Sequence, residues 1–336
     1  MNETANLSPK TDLCVVALLL GACLVAPLLV GEYRLQFLRD LICFAIFAMA
    51  LNLIWSQAGL LSFGHATFFG LGTYAVAIGS TALGPLAGPW LGVVAGLAAA
   101  ALVSALIGYF LLFGGVRGAY FTIVTLALAV IFEQLVLGFP RVTGGNTGII
   151  GSMTLALPGG DGPFFLQGTV YYYVVLAAAV AITGCLYFLK TSRRGLVLNA
   201  ILDNELRAAA LGNNTPAYLL FVFIASAVCA ALAGALYASG AGFVAPDTVG
   251  LSFSTQVVIW VAIGGRGTLS GPVIGAVLVL ALENWLSSVS YQLWPLVLGC
   301  LFVGAVFIFP RGIVGLAVSI LGSAENRLSK PARAAQ

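Results

Sequence analysis

Residues 90–113 read WLGVVAGLAAAALVSALIGYFLLF, 24 consecutive positions without a charged side chain. About 20 mostly apolar residues are enough to cross a bilayer as a helix, and backbone inside hydrocarbon must satisfy its own hydrogen bonds, so an apolar run there is helical. Working outward, the same pattern recurs at 13–30, 38–57, 67–83, 119–138, 169–190, 217–240, 253–265, 272–288 and 294–310. These segments predict an all-α, polytopic transmembrane bundle of about ten helices, folded as one domain over residues 1–336. The run from Leu13 ends in Val30-Gly31-Glu32-Tyr33 without a small-x-small cleavage site, so it reads as a retained first span.

Composition agrees. Mean hydropathy is +1.08, 61% of the 336 residues are hydrophobic and 7% are charged, against roughly a quarter charged in soluble domains. The net charge of +3 gives no footprint for nucleic acid. Cys14, Cys23, Cys43, Cys185, Cys229 and Cys300 lie scattered in apolar stretches, with no spacing for zinc or a disulfide framework. Neither a metal nor a cofactor is expected.

Lysine and arginine set the orientation. Alternating ten spans from a cytoplasmic N-terminus puts Lys10, Arg117, Lys190, Arg193, Arg194, Arg207, Arg266, Arg311, Arg327, Lys330 and Arg333 inside, against Arg34, Arg39 and Arg141 outside. Both termini, 1–12 and 323–336, are therefore expected in the cytoplasm. Tyr171, Tyr172, Tyr173, Trp90 and Trp294 fall at outer span ends, as an interfacial belt would.

Two hydrophilic segments interrupt the pattern. The outer one, 140–168, carries Thr143-Gly144-Gly145-Asn146-Thr147-Gly148 and Pro158-Gly159-Gly160-Asp161-Gly162-Pro163, a turn-rich composition. The inner one, 191–216, reads TSRRGLVLNAILDNELRAAALGNNTP. From Leu196 to Leu211 it predicts an amphipathic helix with Leu198, Ile201, Leu202 and Ala208 on one face. Gly212, Asn213 and Asn214 end it, and Pro216 opens the next span. The Gly-rich pieces 58–66 and 264–271 read as candidate re-entrant turns. GLLSFG at 59–64 and GTLSGP at 267–272 look alike, but halves of five spans each would be inverted, so the two pieces would not correspond.

The inner segment resembles a known family. Gly195…Asn199-Ala200-Ile201…Asp203-Asn204-Glu205…Ala208…Leu211-Gly212 is similar to the cytoplasmic loop of LivM-type permease subunits of branched-chain amino-acid ABC importers, within the branched-chain amino acid, urea and amide permease family. So are Asn52-Leu53…Gln57 through Ala66, Arg117-Gly118-Ala119-Tyr120-Phe121…Thr125-Leu126, the Thr143–Gly148 loop and Gly264-Gly265-Arg266-Gly267-Thr268-Leu269-Ser270-Gly271-Pro272. These blocks run in order over about residues 50–290. Leu202 departs from the pattern, where relatives usually carry a charge. The resemblance implies the ten-helix permease fold, two ATP-binding subunits, a second permease subunit of a different chain and a periplasmic solute-binding protein. It places ATPase coupling on Gly195, Ala200, Asp203, Asn204, Glu205, Ala208, Leu211 and Gly212, and the bacterial inner membrane as the location. Urea and short amides are the alternative solutes within the family.

No GxxxxGK[ST] occurs, so ATP hydrolysis belongs on a partner, and the single histidine offers little to a catalytic triad. The chain reads as a transporter component and not an enzyme. Candidate positions along a translocation path are Ser62, Gly64, His65, Glu133, Thr143, Gly144, Gly145, Glu283 and Asn284, because polar groups at membrane depth face a bundle interior or a cavity. His65 bonding a neighbouring carbonyl, and Glu133 or Glu283 locking two helices, are the structural alternatives. A self-contained secondary transporter or channel is the rival of another class. It has no need of the helix at 196–211.

Overall fold

The computed structural model describes residues 9–159, 162–289, 294–307 and 312–316. Gly160, Asp161, Arg311, Arg327, Lys330, Arg333, residues 1–8 and the tail 323–336 lie outside the described residues.

The helices are α1 (Pro9–Leu29), α2 (Glu32–Ala58), α3 (His65–Phe113), α4 (Gly118–Gly138), the single turn α5 (Pro140–Thr143), α6 (Gly168–Thr191), α7 (Arg193–Asp203), α8 (Glu205–Ala210), α9 (Thr215–Ala241), α10 (Leu251–Gly264), α11 (Ser270–Val289) and α12 (Trp294–Phe307). Four short strands, β1 (Ile149–Ile150), β2 (Ala156–Gly159), β3 (Gly162–Phe165) and β4 (Phe243–Val244), sit in the connections. The strands form two antiparallel pairs, with Ile149 opposite Val244 and Ala156 opposite Phe165.

Among the described residues, seven helices are long and apolar enough to cross a membrane. At 49 residues α3 would be about 73 Å long if straight, more than twice the hydrocarbon thickness. It is not straight. Gly84 takes φ 80 and ψ 173, and the limb before it folds back against the limb after it. Gly88 and Gly92 press on the backbone of Gly79 and Ala75, and Gly96 on that of Gly72. A Cβ at Gly92 would stand 2.6 Å from the Ala75 carbonyl oxygen. Lipid offers no hydrophobic drive to hold helices together, so small residues allow the close backbone approach that does. The two limbs are thus the third and fourth of the ten expected spans. α10, with 14 residues, is the shortest of the fully described spans.

α2 and α9, each of 27 residues, occupy the centre. Both end on a left-handed glycine, Gly59 (φ 67) and Gly242 (φ 66), followed by an irregular stretch and a new helix. Residues 60–64 enter from one end of the bundle and 243–250 from the other. They meet inside, where Ala66 N donates to Ser254 Oγ (3.1 Å). The segment corresponding to 59–64 is therefore 242–250 and not 267–272. Phe47, Phe69 and Phe253 fill the junction, with ring centroids 4.8 to 5.2 Å apart.

α1 packs on α6 and α11 and leaves most of its surface outward. Pro27 deprives α1 of one amide, which would orphan the Cys23 carbonyl. The Tyr172 hydroxyl donates to that oxygen (2.7 Å), so a tyrosine from α6 completes the helix it packs on.

Candidate functional site

The polar end of the bundle is built around α7 and α8. Ser192 caps α7 by accepting from Gly195 N (3.3 Å). The expected single helix from Leu196 to Leu211 is two helices, because Asn204 adopts φ −160 and ψ 101 and caps α8 by accepting from Arg207 N (2.9 Å). Short polar side chains compete with the helical ladder in this way. Gly212, at φ 87, ends α8, and Asn214 caps α9 through Ala217 N (3.3 Å).

The candidate coupling residues divide into two faces. Gly195 and Ala208 are buried, and a Cβ at Gly195 would come 2.4 Å from the Leu189 carbonyl oxygen. Ala200, Asp203, Asn204, Leu211 and Gly212 face outward. Leu198 is buried inward with Ile201, while Leu206 (84% exposed) and Leu211 (77%) stand free. Glu205 is engaged within the chain. Arg117 Nη2 and Nε reach its carboxylate at 2.8 and 3.1 Å, and Thr215 Oγ1 donates to it at 3.1 Å. One carboxylate thereby joins α8 to the α3–α4 connection and to the start of α9.

The hydrogen bonds from Arg117 hold the Glu205 carboxyl below its ordinary value of 4.5. A carboxylate with a lowered folded pKa contributes stability above its ordinary pKa and loses it as pH falls through the folded value. Hydrogen-exchange protection of the 205–210 amides is expected to drop below about pH 4.5 in the wild type. Glu205→Gln should show the reduced protection at every pH. An unchanged pH profile in the variant would show that this pair does not hold α8.

At the same end, against the last turn of α6, lies the turn 265–269, which three side chains from distant segments organise. Asp12 in the first turn of α1 is buried and accepts from Leu269 N (2.6 Å), Ser270 N (3.0 Å) and Ser270 Oγ (2.6 Å). Thr268 Oγ1 accepts from Gly271 N (3.0 Å), and Pro272 has no amide. These bonds satisfy amides at the start of α11, whose positive dipole end favours a carboxylate. Asn52 donates to Thr268 O (2.8 Å) and accepts from Gly267 N (3.3 Å), while Lys190 Nζ donates to Gly267 O (2.6 Å). Asp12 was missed in the sequence. The only available signal was an acid placed directly before an apolar run.

The candidate path residues fall into separate places. Ser62 and His65 are fully buried at the junction of the two irregular segments. Ser226 Oγ donates to Ala50 O (2.5 Å) and lies 2.7 Å from His65 Nε2. With that hydroxyl proton committed, the imidazole donates from Nε2. Nδ1, Ser62 Oγ and Thr67 Oγ1 then have no partner among the described residues. Gly64 backs onto the Thr125 carbonyl, where a Cβ would sit 2.4 Å from the oxygen. Glu133 lies against Gly250 at the start of α10. Thr143, Gly144 and Gly145 form a tight turn at the opposite end. The Thr143 hydroxyl is shared between Val136 O and Phe139 O, and both glycines have positive φ. Glu283 is half-buried and Asn284 exposed on α11. No hydrogen bond among the described residues links His65, Glu133, the Thr143 turn and Glu283 to one another.

The chain is 28% identical to the high-affinity branched-chain amino acid transport system permease protein LivM of Salmonella typhimurium over 327 residues, covering 91% of this chain and 75% of the relative. It is 24% identical to the corresponding LivH of the same organism over 292 residues, 81% of this chain and 91% of the relative. The D-allose transport system permease protein AlsC of Escherichia coli matches at 29% over 43% of this chain. No solved structure matches the chain. A family model described as branched-chain amino acid transport system / permease component matches residues 33–309, more than half of the sequence. On that match, and with seven long apolar helices among the described residues, the chain belongs to that family of membrane transport permeases.

Proposed function

We propose that this chain is one permease subunit of an ATP-driven ABC importer for branched-chain or related hydrophobic amino acids. It works beside a second, homologous permease of a different chain, in a bacterial inner membrane. The relatives' names supply the solute class. The α7–α8 end faces the cytoplasm together with both termini, as the lysine and arginine bias argues. A periplasmic solute-binding protein meets the opposite end, near Thr143, Gly144 and Gly145. His65, Ser62 and Gly64, with Glu133, Glu283 and Asn284, remain the positions proposed to shape the path. Unpartnered buried polar atoms at His65 and Ser62 support that reading.

The observation that carries the proposal is the outward face of α8. Leu206 and Leu211 are exposed at the polar end, beside Asp203, Asn204 and Arg207. A pair of free leucines rimmed by polar groups suits a groove on an ATP-binding subunit. Glu205 is a positioning residue in this scheme. Through Arg117 and Thr215 it passes displacement of α8 to α4 and α9 as a rigid-body push.

Leu206→Glu is expected to cut copurification of ATP-binding subunits at least tenfold while the detergent-extracted permease keeps its elution profile. Normal recovery of those subunits from mild detergent would remove α8 as their dock. Recovery of the chain alone, moving solute in liposomes without ATP, would replace the importer reading with a secondary transporter.

A further inference from the structure

The end of the bundle opposite α7 and α8 carries a cavity of 620 Å3 between the starts of α2 and α6 and the end of α9. Its size lies in the range of small-molecule sites. Arg39 forms one wall, with its side chain 12% exposed. Nε and Nη2 both donate to Asp40 Oδ1, at 3.0 and 2.7 Å, and Nη1 has no partner among the described residues. The guanidinium is held in place from two sides. The Tyr171 ring lies 5.9 Å away, and Gly240 leaves room that a Cβ would fill, 2.8 Å from Nη1.

Two further features suit an anion next to Arg39. The first turn of α6 lines the same cavity, and its cap, Gln167, is extended and makes no side-chain bond to the helix. The amides of that turn and the helix dipole therefore favour a carboxylate. Glu32 supplies the opposite charge. It stands seven residues before Arg39, two helical turns or about 10.5 Å along the same face of α2. Glu32 and Gln36 hydrogen-bond to nothing among the described residues, although both line the cavity. Leu35 and Leu166 add apolar surface to a lining that also carries Gln36, Thr154 and Thr169.

From this arrangement we infer a binding site for a free α-amino acid zwitterion within this subunit. The carboxylate meets Arg39 Nη1 and the α6 amides, the ammonium meets Glu32, and an apolar side chain lies against Leu35 and Leu166. The site rests on the import reading above and gives it a receiving point at the solute-binding-protein end. An isolated cation in that position would select anions. The paired Glu32 selects a solute carrying both charges, and a hydrophobic amino acid adds the contact with the two leucines.

The test uses the chain copurified with its partners in nanodiscs, without solute-binding protein or nucleotide, and radiolabelled L-leucine as the probe. Saturable binding is expected. Competition by 4-methylpentanoate, which lacks the ammonium, and by 3-methylbutylamine, which lacks the carboxylate, should each be at least tenfold weaker than by unlabelled leucine. Glu32→Gln and Arg39→Gln should each weaken binding at least tenfold. Arg39→Gln also frees Asp40, so Glu32→Gln, at an exposed position, is the variant that decides if the first fails to fold. Equal competition by either analogue, or full binding in Glu32→Gln, overturns the site. Leucine binding seen in phosphatidylglycerol discs but lost in phosphatidylethanolamine discs overturns it as well, because the cavity would then hold a zwitterionic lipid headgroup. ATP-driven leucine uptake by the complete wild-type system is measured alongside. Uptake without this binding discards the site and leaves the import reading standing. Absence of both uptake and binding discards the import reading and the site with it.

Discussion

Replacing Gly72 with valine is expected to abolish a stable, monodisperse permease. The first limb of α3 lies against α9 with no side chain between them at this point. A Cβ at Gly72 would stand 2.0 Å from the Ala231 carbonyl oxygen and 3.0 Å from Ala235 N. Gly234 makes the reciprocal approach to Phe69, with a Cβ 2.0 Å from its carbonyl oxygen. Overpacking a core typically costs about 1–3 kcal/mol. Here the obstacle is backbone in two central helices, so relief requires separating them. Two further carbons from valine then deepen the conflict. Against a total stability on the order of 5–15 kcal/mol, this is a large loss. The measurement is size-exclusion in detergent after a heating series. Gly184→Val on α6, where nothing lies within 4 Å of an added Cβ, is the control and should stay within about 0.5 kcal/mol of wild type. A Gly72→Val protein that elutes and melts like wild type would show that the α3–α9 approach is looser than described.

Asp12→Ala carries the second large effect. The substitution leaves the amides of Leu269 and Ser270 and the Ser270 hydroxyl without their buried acceptor. Each orphaned buried donor costs about 1–3 kcal/mol, and bonds to a carboxylate are the stronger kind. Asp12→Asn is only a partial rescue, because it keeps one acceptor oxygen and turns the other into a donor facing a donor. The start of α11 is expected to loosen and the turn 265–269 to open. Leu269→Cys, at a buried position, should then react with a maleimide added to the detergent-solubilised protein at least tenfold faster in the Asp12→Ala background. Transport should fall by a similar factor, while membrane insertion is kept. Unchanged labelling and unchanged transport would show that Asp12 is dispensable to the turn. Asn52 and Lys190 would then hold the turn without it.

The path from sequence to site was uneven for identifiable reasons. The loop 191–216 was legible because its polarity breaks an otherwise apolar chain, and Gly212 and Pro216 mark its end. The division at Asn204 was not, since an asparagine inside an amphipathic pattern is compatible with a continuous helix until its side chain takes the Arg207 amide. Periodicity set Leu198 with Ile201 and Ala208 on one face, but not whether that face meets the bundle or a partner. The bundle behind α7 and α8 buries all three and leaves Leu206 free. Glu205 was legible as a coupling residue only through family likeness. Its partner Arg117 lies 88 positions earlier, and no local pattern connects the two.

By itself, the sequence determined that this protein is an all-α membrane bundle, roughly where its spans fall, and that a polar segment at 191–216 separates two of them. Those are local consequences, because in hydrocarbon each backbone segment must close its own hydrogen bonds and apolar length alone selects a helix. Only the tertiary structure decided which glycines bring the two limbs of 65–113 into contact, that Asp12 caps a helix 258 positions away, and that Arg39 and Glu32 share one cavity. Small residues occur throughout every span, so composition cannot say which glycine meets which backbone. Buried polar groups find partners wherever the packed helices bring them, and that pairing is a property of the whole assembled bundle.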